Sequence, residues 1–355
     1  MSPLVSILIP AFNAQEFIAQ TLESALGQTW NRTEIIVVDD GSTDRTLSIA
    51  RQFASRNVHV VSQNNQGAAA ARNKAFSLSQ GEYIQWLDAD DLIAPDKLAR
   101  QLESLDGTTT ERTLLSGPWG HFIYRCHKAD FKPTPLWCDL SPVEWLLRKL
   151  DQNLHMQPAT WLVSRGLSEA AGPWDVRLSL DDDGEYFCRV LLASDKVHFV
   201  PEAKTFYRRS GAGSLSNIGP SGQKKLESQF LSMQLHIRYL RSLEESERVR
   251  QACIKYLQRW FVFFYPERPQ IVEQAKQLAS ELGGRLETPT LPWKYAWIQK
   301  LFGWELGKRA WFNLPKLRSA LSRRWDKTLF HLEPRSLRAL ASPIVANAST
   351  ERPTG

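Results

Sequence analysis

Residues 83–91 read Tyr83-Ile84-Gln85-Trp86-Leu87-Asp88-Ala89-Asp90-Asp91, an apolar run that ends in three carboxylates within four positions. The apolar part predicts a buried strand, and ligands of open α/β sheets bind outside the carboxyl ends of such strands. Ionised carboxylates this close together repel one another and lose hydration unless a cation lies among them. Mg²⁺ or Mn²⁺ commonly takes one or two carboxylates together with substrate phosphates. The stretch therefore indicates either a divalent-metal site or a solvated acidic turn that precedes a helix near Pro95.

The residues upstream alternate between short apolar strands and helices. Strands are predicted at 5–10, 34–38, 58–61 and 83–87, and helices at about 14–26, 44–53 and 67–80. Asn13 and Glu16 predict a capping box at the start of the first helix. Strands that alternate with helices in this way are typical of a mostly parallel, doubly wound α/β sheet with helices on both faces.

Right-handed crossovers place the carboxyl ends of these four strands on one edge of the sheet, where Pro10, Asp40, Asn64 and Asp88 should converge. The chain has no Gly-x-Gly-x-x-Gly after the first strand and no Gly-Lys-Ser/Thr, which argues against a dinucleotide fold and a P-loop. A carboxylate after the second strand can accept hydrogen bonds from a base N–H or from ribose hydroxyls. A metal ion after the fourth strand can bind a diphosphate. Together they indicate a nucleoside diphosphate compound as ligand.

Four segments, in matching order and spacing, resemble the family 2 glycosyltransferases, which are inverting nucleotide-sugar transferases with the A-type glycosyltransferase fold. They are 5–13 (VSILIPAFN), 36–44 (IVVDDGSTD), 65–73 (NQGAAAARN) and 87–91 (LDADD). The resemblance covers residues 3–105 strongly and 150–216 more weakly. It is specific for the family but not for the donor or the acceptor.

The resemblance implies roles for individual positions at the carboxyl edge. The residues implied to bind the nucleotide sugar are Pro10, Ala11, Asn13, Asp39, Asp40, Arg72, Asp88 and Ala89. Among them Asp40 is expected to hold the base edge, and Arg72 to lie against the base or ribose. Asp90 is the expected ligand of Mg²⁺ or Mn²⁺, with Asp91 behind it.

An inverting transfer also needs a general base, because the acceptor hydroxyl loses a proton as it attacks the anomeric carbon. The family places a Glu-Asp pair before a helix, and Asp182-Asp183 stands at that position here. The resemblance thus implies Asp183 as the base and Asp182 as its partner. Because Asp181 precedes this pair in a run of three Asp, the alignment with the family's Glu-Asp pair is open by one residue. The three acids also fit the N-terminus of a helix without any catalytic function, since the helix dipole favours acids there.

Residues 157–165 and 207–216 resemble the family's strand near the acceptor and the loop that follows the catalytic helix. The resemblance implies that Gln157 and Trp161 contact a sugar, although a Trp also fits an ordinary core. Arg208, Ser214 and Ser216 are expected to clamp the diphosphate. The His that the family often carries in this loop is missing, so no further metal ligand is expected from it.

The chain of 355 residues can hold a catalytic domain and an appendage. We expect a catalytic domain over 1–220, divided into a nucleotide-sugar-binding half (1–105) and an acceptor half (106–220). A helical region over 221–340 and a disordered tail over 341–355 should follow. The four Cys have no Cys-x-x-Cys spacing and are expected to be reduced, without zinc. The absence of a signal peptide or apolar span predicts a cytoplasmic protein.

The C-terminal region is predicted to form helices at 224–242, 245–263 and 269–282 that pack on the catalytic domain. Residues 292–325 are predicted to form short helices that interleave five Trp with eight Lys or Arg, opposed only by Glu305. This pattern suits peripheral binding to the anionic inner face of the cell membrane and a lipid-linked acceptor. An ordinary basic helical cap explains it equally well. Nucleic acid is not expected as a partner, because the predicted site is lined with carboxylates.

The sequence therefore predicts a metal-dependent inverting glycosyltransferase of the hexosyltransferase type. The donor is a nucleoside diphosphate sugar, with a UDP-sugar favoured, and the acceptor is a hydroxyl of a glycan, polysaccharide or lipid-linked glycan. The alternative is a catalytically idle nucleotide-sugar-binding or scaffold protein of the same fold. A nucleotidyltransferase would need a basic glycine-rich loop after the first strand, and residues 10–13 (PAFN) do not form one.

Overall fold

A five-stranded sheet lies at the centre of the fold in a computed structural model that describes residues 2–105, 111–209 and 223–334. In spatial order its strands are β3 (Val58–Ser62), β2 (Thr33–Asp39), β1 (Val5–Ala11), β4 (Tyr83–Trp86) and β9 (Val163–Ser164). The first four are parallel, and β9 runs antiparallel to β4. The predicted α/β fold with a mostly parallel sheet is confirmed.

Six shorter strands form two smaller sheets beside the central one. β6 (Thr113–Ser116) pairs in parallel with β10 (Lys196–Phe199). The other sheet has the order β5 (Leu92–Ile93), β11 (Thr205–Arg208), β7 (Trp119–Phe122) and β8 (Asp130–Phe131). In it β11 runs parallel to β7, and this register brings the end of β11 next to the residues that follow β4.

Helices cover both faces of the central sheet. In the first half of the chain they are α1 (Ile18–Leu26), α2 (Thr46–Gln52), α3 (Ala68–Leu78) and α4 (Lys97–Glu103). They are followed by α5 (Pro142–Gln152), α6 (Arg165–Ala171) and α7 (Asp182–Ala193). The C-terminal helices are α8 (Gln223–Leu243), α9 (Glu247–Phe264), α10 (Pro269–Glu281) and α11 (Trp293–Leu332).

Alternate residues of β1 point into two different hydrophobic cores. Ile7 and Ile9 pack with α1 and α4 on one face, whereas Leu8 packs with α3 and Trp86 on the other. Because both faces are covered, β1 is a continuous apolar run and not an alternating one. Residues of α8, α9 and α10 belong to the same core as Leu8, which confirms that the predicted C-terminal helices pack on the catalytic part.

Two local predictions are wrong. The first helix begins at Ile18, not near residue 14, and its N-terminus has no side-chain cap. Asn13 adopts a left-handed conformation with φ of 49° and bonds to the next loop, so the predicted capping box with Glu16 does not form. The short helices predicted after residue 292 are only partly correct: a first helical part of α11 breaks at Gly303, where φ is 83°, and a second, longer part continues to Leu332.

The remaining predictions about the C-terminal part have different outcomes. Within the part of the chain that the structure describes, none of the helices is both long and apolar enough to span a bilayer. The boundaries predicted at 220 and 340 stay predictions. The tail predicted over 341–355 lies outside the described residues.

Candidate active site

The loops that follow β1 and β2 are bonded to each other at the carboxyl edge of the sheet. Ala11 lies opposite Asp39, and the Ala11 carbonyl accepts from the Asp40 N–H at 2.8 Å. The Asn13 N–H donates to the Ser42 hydroxyl at 3.0 Å, and its side-chain oxygen accepts from the Thr43 N–H at 2.9 Å. The residues predicted to line a nucleotide pocket therefore meet at one edge, as the strand order requires.

Asp39 and Asp40 are both buried, but they have different partners. Asp40 accepts from the N–H groups of Gln66 at 2.9 Å and Gly67 at 2.8 Å, and so fastens the loop that leads into α3. Oδ2 of Asp39 accepts from the Ser42 N–H, whereas its Oδ1 is buried and has no hydrogen-bond partner among the described residues. The prediction that Asp40 holds a base edge stays a prediction. Of the two acids, Asp39 has the carboxylate oxygen that accepts no hydrogen bond from the described residues.

Gly41 allows this turn to approach the loop before α3. Its φ is 72°, in the left-handed region that favours glycine. A Cβ at this position would also lie 2.8 Å from the backbone nitrogen of Asn65. Any larger residue would therefore separate the two loops.

Arg72 is buried between two carboxylates. Its Nη1 donates to Asp182 at 2.7 Å and its Nη2 to Asp88 at 2.8 Å, while the guanidinium lies 4.3 Å from the centre of the Trp174 ring. Burial disfavours the charge, but the charges of Asp182 and Asp88 outweigh it and raise the pKa of Arg72. Arg72, which was predicted to lie against the base or ribose, thus joins Asp88 at the edge of the sheet to Asp182 in the first turn of α7. That helix also carries the candidate general base.

The three acids at the start of α7 have distinct environments. Asp181 adopts φ of 59° and accepts from the Ser232 hydroxyl of α8 at 2.7 Å. Asp182 is bonded to Arg72, whereas half-buried Asp183 accepts from the N–H of its neighbour Gly184 at 2.8 Å. This leaves Asp183 as the least committed of the three.

The charge on Asp183 is disfavoured at this position. Burial raises the pKa of Asp183 to about 7, and the charges of Asp182 and Asp181 add to this effect. Burial also raises the pKa of Asp182, although Arg72 opposes that shift. A general base works best when its pKa lies near the working pH, so the position of Asp183 suits proton abstraction at neutral pH.

The loop after β4 is held from two sides. Thr21 of α1 donates to the carbonyls of Ala89 at 3.0 Å and Asp91 at 2.9 Å. From the other side, Arg208 donates from its backbone N–H to the Asp91 carboxylate at 2.8 Å and from Nε to the Asp90 carbonyl at 2.6 Å. The backbone of this acidic loop is therefore fixed before any ligand binds.

The donors at this edge fit a cation that is shared with a substrate. Asp88 and Asp90 are half-buried, whereas Asp91 is fully buried, and burial raises its pKa well above the ordinary range. Among the described residues, no group of three or more His, Cys, Asp or Glu could hold a metal by itself. Mg²⁺ and Mn²⁺ are commonly held by one or two carboxylates and substrate phosphates, which is what this edge can supply.

Two residues predicted to touch a ligand are buried inside the protein, which corrects those expectations. Trp161 has no exposed surface and stacks on Phe187 at 5.4 Å, so it is a core residue. Arg208 is buried, and its Nη atoms donate to the Ile123 carbonyl and the Gln20 side chain, so it does not face a diphosphate.

The other predicted contacts near the acceptor have no equally clear outcome. Gln157 is also buried, and its carbonyl accepts from the Thr160 N–H at 3.0 Å. Ser214 and Ser216 lie outside the described residues. The positioning function of Arg208 has no signal in the sequence, because it depends on contacts between distant strands.

The fold and this acidic edge define a protein with the A-type glycosyltransferase fold. A crystal structure of S. aureus TarS, in complex with UDP-GlcNAc, superposes with a TM-score of 0.63 at 19% identity, covering 79% of this chain and 81% of that one. Residues 6–115 match the sequence profile described as Glycosyl transferase family 2. This first third of the chain therefore resembles the family 2 glycosyltransferases in sequence.

Two named relatives are similar over about 30% of this chain. A Bacillus subtilis glycosyltransferase named for teichuronic acid biosynthesis, TuaG, is 46% identical over 104 residues, which are 28% of this chain and 41% of TuaG. The Escherichia coli UDP-Glc:alpha-D-GlcNAc-diphosphoundecaprenol beta-1,3-glucosyltransferase WfaP is 40% identical over 114 residues, 32% of this chain and 44% of WfaP. The chain spans about two fifths of the length of the curated relatives it matches.

Proposed function

We propose that this protein is a metal-dependent inverting glycosyltransferase. It transfers a hexosyl group from a nucleoside diphosphate sugar, with a UDP-sugar favoured, to a hydroxyl of a glycan, polysaccharide or lipid-linked acceptor. The observation that carries the proposal is the bridge from Asp88 through Arg72 to Asp182, because it connects the donor edge to the acids of α7. Asp183, with a pKa of about 7, is the next residue along that helix.

The names of the relatives support the choice of donor and acceptor. WfaP is named for a UDP-Glc donor and a diphosphoundecaprenol-linked acceptor, and TarS was crystallised with UDP-GlcNAc. TuaG is named for the biosynthesis of teichuronic acid. A UDP-sugar and an envelope glycan are therefore the ligands to test first.

Each residue of the site has a chemical role in the proposed reaction. Asp183 takes the proton of the acceptor hydroxyl as that oxygen attacks the anomeric carbon from the face opposite the diphosphate. Arg72 holds Asp88 and Asp182 in fixed positions and keeps their charges compensated. Mg²⁺ or Mn²⁺ held by Asp90, with Asp88 beside it, would neutralise charge on the leaving diphosphate.

A thermal-shift screen of nucleotide sugars, with Mn²⁺ and with a chelator, tests binding, since a ligand of the native state raises apparent stability. The donor that stabilises is then incubated with candidate acceptors, and release of nucleoside diphosphate is measured. Asp183→Asn should keep the thermal shift and lower turnover by about two to four decades. Asp195→Asn is the matched control, because this exposed acid just beyond the other end of α7 pairs with Arg112 at the surface.

The outcomes separate the candidate functions. Metal-dependent binding with turnover that needs Asp183 supports the proposal. Binding of a donor without any turnover by the native chain, across the acceptor panel, favours the idle nucleotide-sugar-binding protein. No stabilisation by any nucleotide sugar would exclude both.

A further inference from the structure

One face of α11 is packed against the rest of the protein. The rings of Trp311 and Phe312 lie 5.7 and 5.5 Å from the ring of Phe263 in α9. Further along, the Asp326 carboxylate accepts from the Tyr124 N–H at 2.9 Å, and the Phe330 ring lies 6.1 Å from that of Tyr124. These contacts fix which side of the helix points inward.

The opposite face carries large apolar side chains that contact water. We call this set the α11 stripe; its members are Leu314, Leu317, Leu321, Trp325 and Leu332, each between 50 and 75% exposed. Their spacing of three, four, four and seven residues places them on one side of a helix. Before the break at Gly303, Trp293 and Trp297 are also exposed, at 80 and 57%. Soluble surfaces rarely expose so many large apolar groups together, which indicates an interaction site.

The same helix is strongly basic. α11 contains nine Lys or Arg and two acids, so the formal charge of this helix alone is larger than the net charge of +6 of the whole chain. Exposed Arg318 and Arg324 are the sequence neighbours of Leu317 and Trp325 and border the stripe. Two such faces would repel each other electrostatically, whereas a surface of anionic phosphates is complementary to them. The charge therefore argues for an anionic bilayer and against a second copy of this chain.

We propose that the α11 stripe is the face by which this protein binds an anionic lipid bilayer. The apolar side chains enter the boundary between head groups and acyl chains, and the arginines contact lipid phosphates. The benefit of membrane binding rests on the proposed function, since a glycosyltransferase on the bilayer could reach a lipid-linked acceptor. Binding itself does not need turnover.

The structure also connects this face to the acidic edge. Arg125 donates to Asp326 at 2.7 Å and to Glu333 at 3.2 Å, and Lys327 pairs with Glu16 near the start of α1. The Tyr124 ring, which contacts Phe330, also lies 6.0 Å from the ring of Phe17, and Arg208 lies 4.5 Å from that ring. A bilayer bound by α11 is therefore held at a defined orientation relative to the loop that carries Asp90.

Vesicle co-sedimentation of the full chain tests the inference. The vesicles contain either phosphatidylcholine with phosphatidylglycerol or phosphatidylcholine alone, and each is used at low and at high salt. The stripe variant is Leu317→Ser/Leu321→Ser/Trp325→Ser. The matched control, Leu78→Ser/Leu243→Ser, removes exposed apolar side chains of α3 and α8 that lie outside α11. Thermal unfolding checks that each variant folds.

The native chain and the control should sediment with the anionic vesicles at low salt and less so at high salt, because salt screens surface charges. The stripe variant should bind roughly tenfold or more weakly, and Arg318→Gln/Arg324→Gln should lose the preference for anionic lipid. Equal sedimentation of native chain and stripe variant would overturn the inference. So would a native oligomer that the stripe variant dissociates in sedimentation velocity, since a second copy would then cover the stripe.

A donor-dependent thermal shift, measured on the same samples, separates this inference from the proposed function. Vesicle binding without any response to nucleotide sugars would exclude the proposed function alone. A response to nucleotide sugars without vesicle binding would exclude only the membrane inference.

Discussion

Nη1 of Arg72 donates to Oδ2 of Asp182 over 2.7 Å, and this bond joins α3 to the first turn of α7 across a separation of 110 residues. The guanidinium is 5% exposed, so the pair lies almost entirely out of water. A buried ion pair adds little net stability, because desolvation offsets the attraction between its charges. Losing one partner is different, since it leaves an uncompensated buried charge.

Arg72→Gln should therefore lower the free energy of unfolding by about 3–5 kcal/mol, because Asp88 and Asp182 lose their cation. Urea denaturation at neutral pH measures this loss. Asp182→Asn in the Arg72→Gln background should cost less than Asp182→Asn alone, as expected for directly coupled residues. The exposed pair of Arg100 and Asp96 supplies the control, since Arg100→Gln should leave the free energy of unfolding nearly unchanged. A similarly small effect at Arg72 would contradict the bridge.

The pKa of Asp183 sets the pH dependence that we expect for catalysis. Only the ionised carboxylate accepts a proton, so turnover should rise with pH through about 7 with the slope of a single deprotonation. The pH profile of kcat for the native protein measures this. Asp183→Asn should remove the step together with most of the activity. A step that persists in Asp183→Asn and vanishes in Asp182→Asn would move the base by one residue.

The same pKa also predicts an effect on stability. The carboxyl is ionised above about pH 3.8 in the unfolded chain but stays protonated to about 7 in the native protein. The stability that it contributes is fully present below pH 3.8 and is lost as pH rises through 7. Asp183→Asn should therefore gain apparent stability over the native protein between these values and keep a constant advantage above them. Thermal unfolding from pH 4 to 8 checks the sign, and an advantage that shrinks with rising pH would contradict it.

The alternation of strands and helices and the acidic loop could be predicted from the sequence because both depend on local patterns. Continuous apolar runs at β1 and β2 specify strands buried on both faces, and their polar ends follow from the crossover rule. Asn13 shows where local reasoning fails. An Asn that caps a helix and an Asn that bonds to a neighbouring loop look alike in sequence. In the structure the Asn13 side chain accepts from the Thr43 N–H, so it bonds to the loop and does not cap α1.

Tertiary contacts explain the rest of the differences. A run of three Asp has no internal signal for its register, and the partners Ser232 and Arg72 separate Asp181 and Asp182 from Asp183. Trp161 has the residue type of a sugar platform, but burial against Phe187 makes it core. Both outcomes depend on residues at least 26 positions away, which periodicity and motif spacing do not encode.

Asp90 is expected to carry the metal dependence of donor binding. Asp90→Asn removes one negative charge from the half-exposed carboxylate of this loop and leaves its size unchanged. Stabilisation by a nucleotide sugar in Mn²⁺ should then fall to the level that the native protein shows in chelator. Thermal shift against Mn²⁺ concentration measures it, and Asp96→Asn, outside the loop on the exposed N-terminus of α4, serves as control. An unchanged Mn²⁺ response would exclude Asp90 as the ligand.

Arg208 is predicted to position Asp90 without touching the ligand. Its Nε holds the Asp90 carbonyl, and its two Nη atoms reach Ile123 and Gln20, so one planar group satisfies three acceptors. Lysine keeps the charge but not this fork geometry. Arg208→Lys should therefore weaken Mn²⁺-dependent donor binding by about tenfold, and high Mn²⁺ should restore it, because the Asp90 carboxylate remains. Neighbouring Arg209 is exposed, so Arg209→Lys should leave the Mn²⁺ titration unchanged. If Arg208 had only a structural function, Arg208→Lys would lower the unfolding temperature without shifting the Mn²⁺ titration.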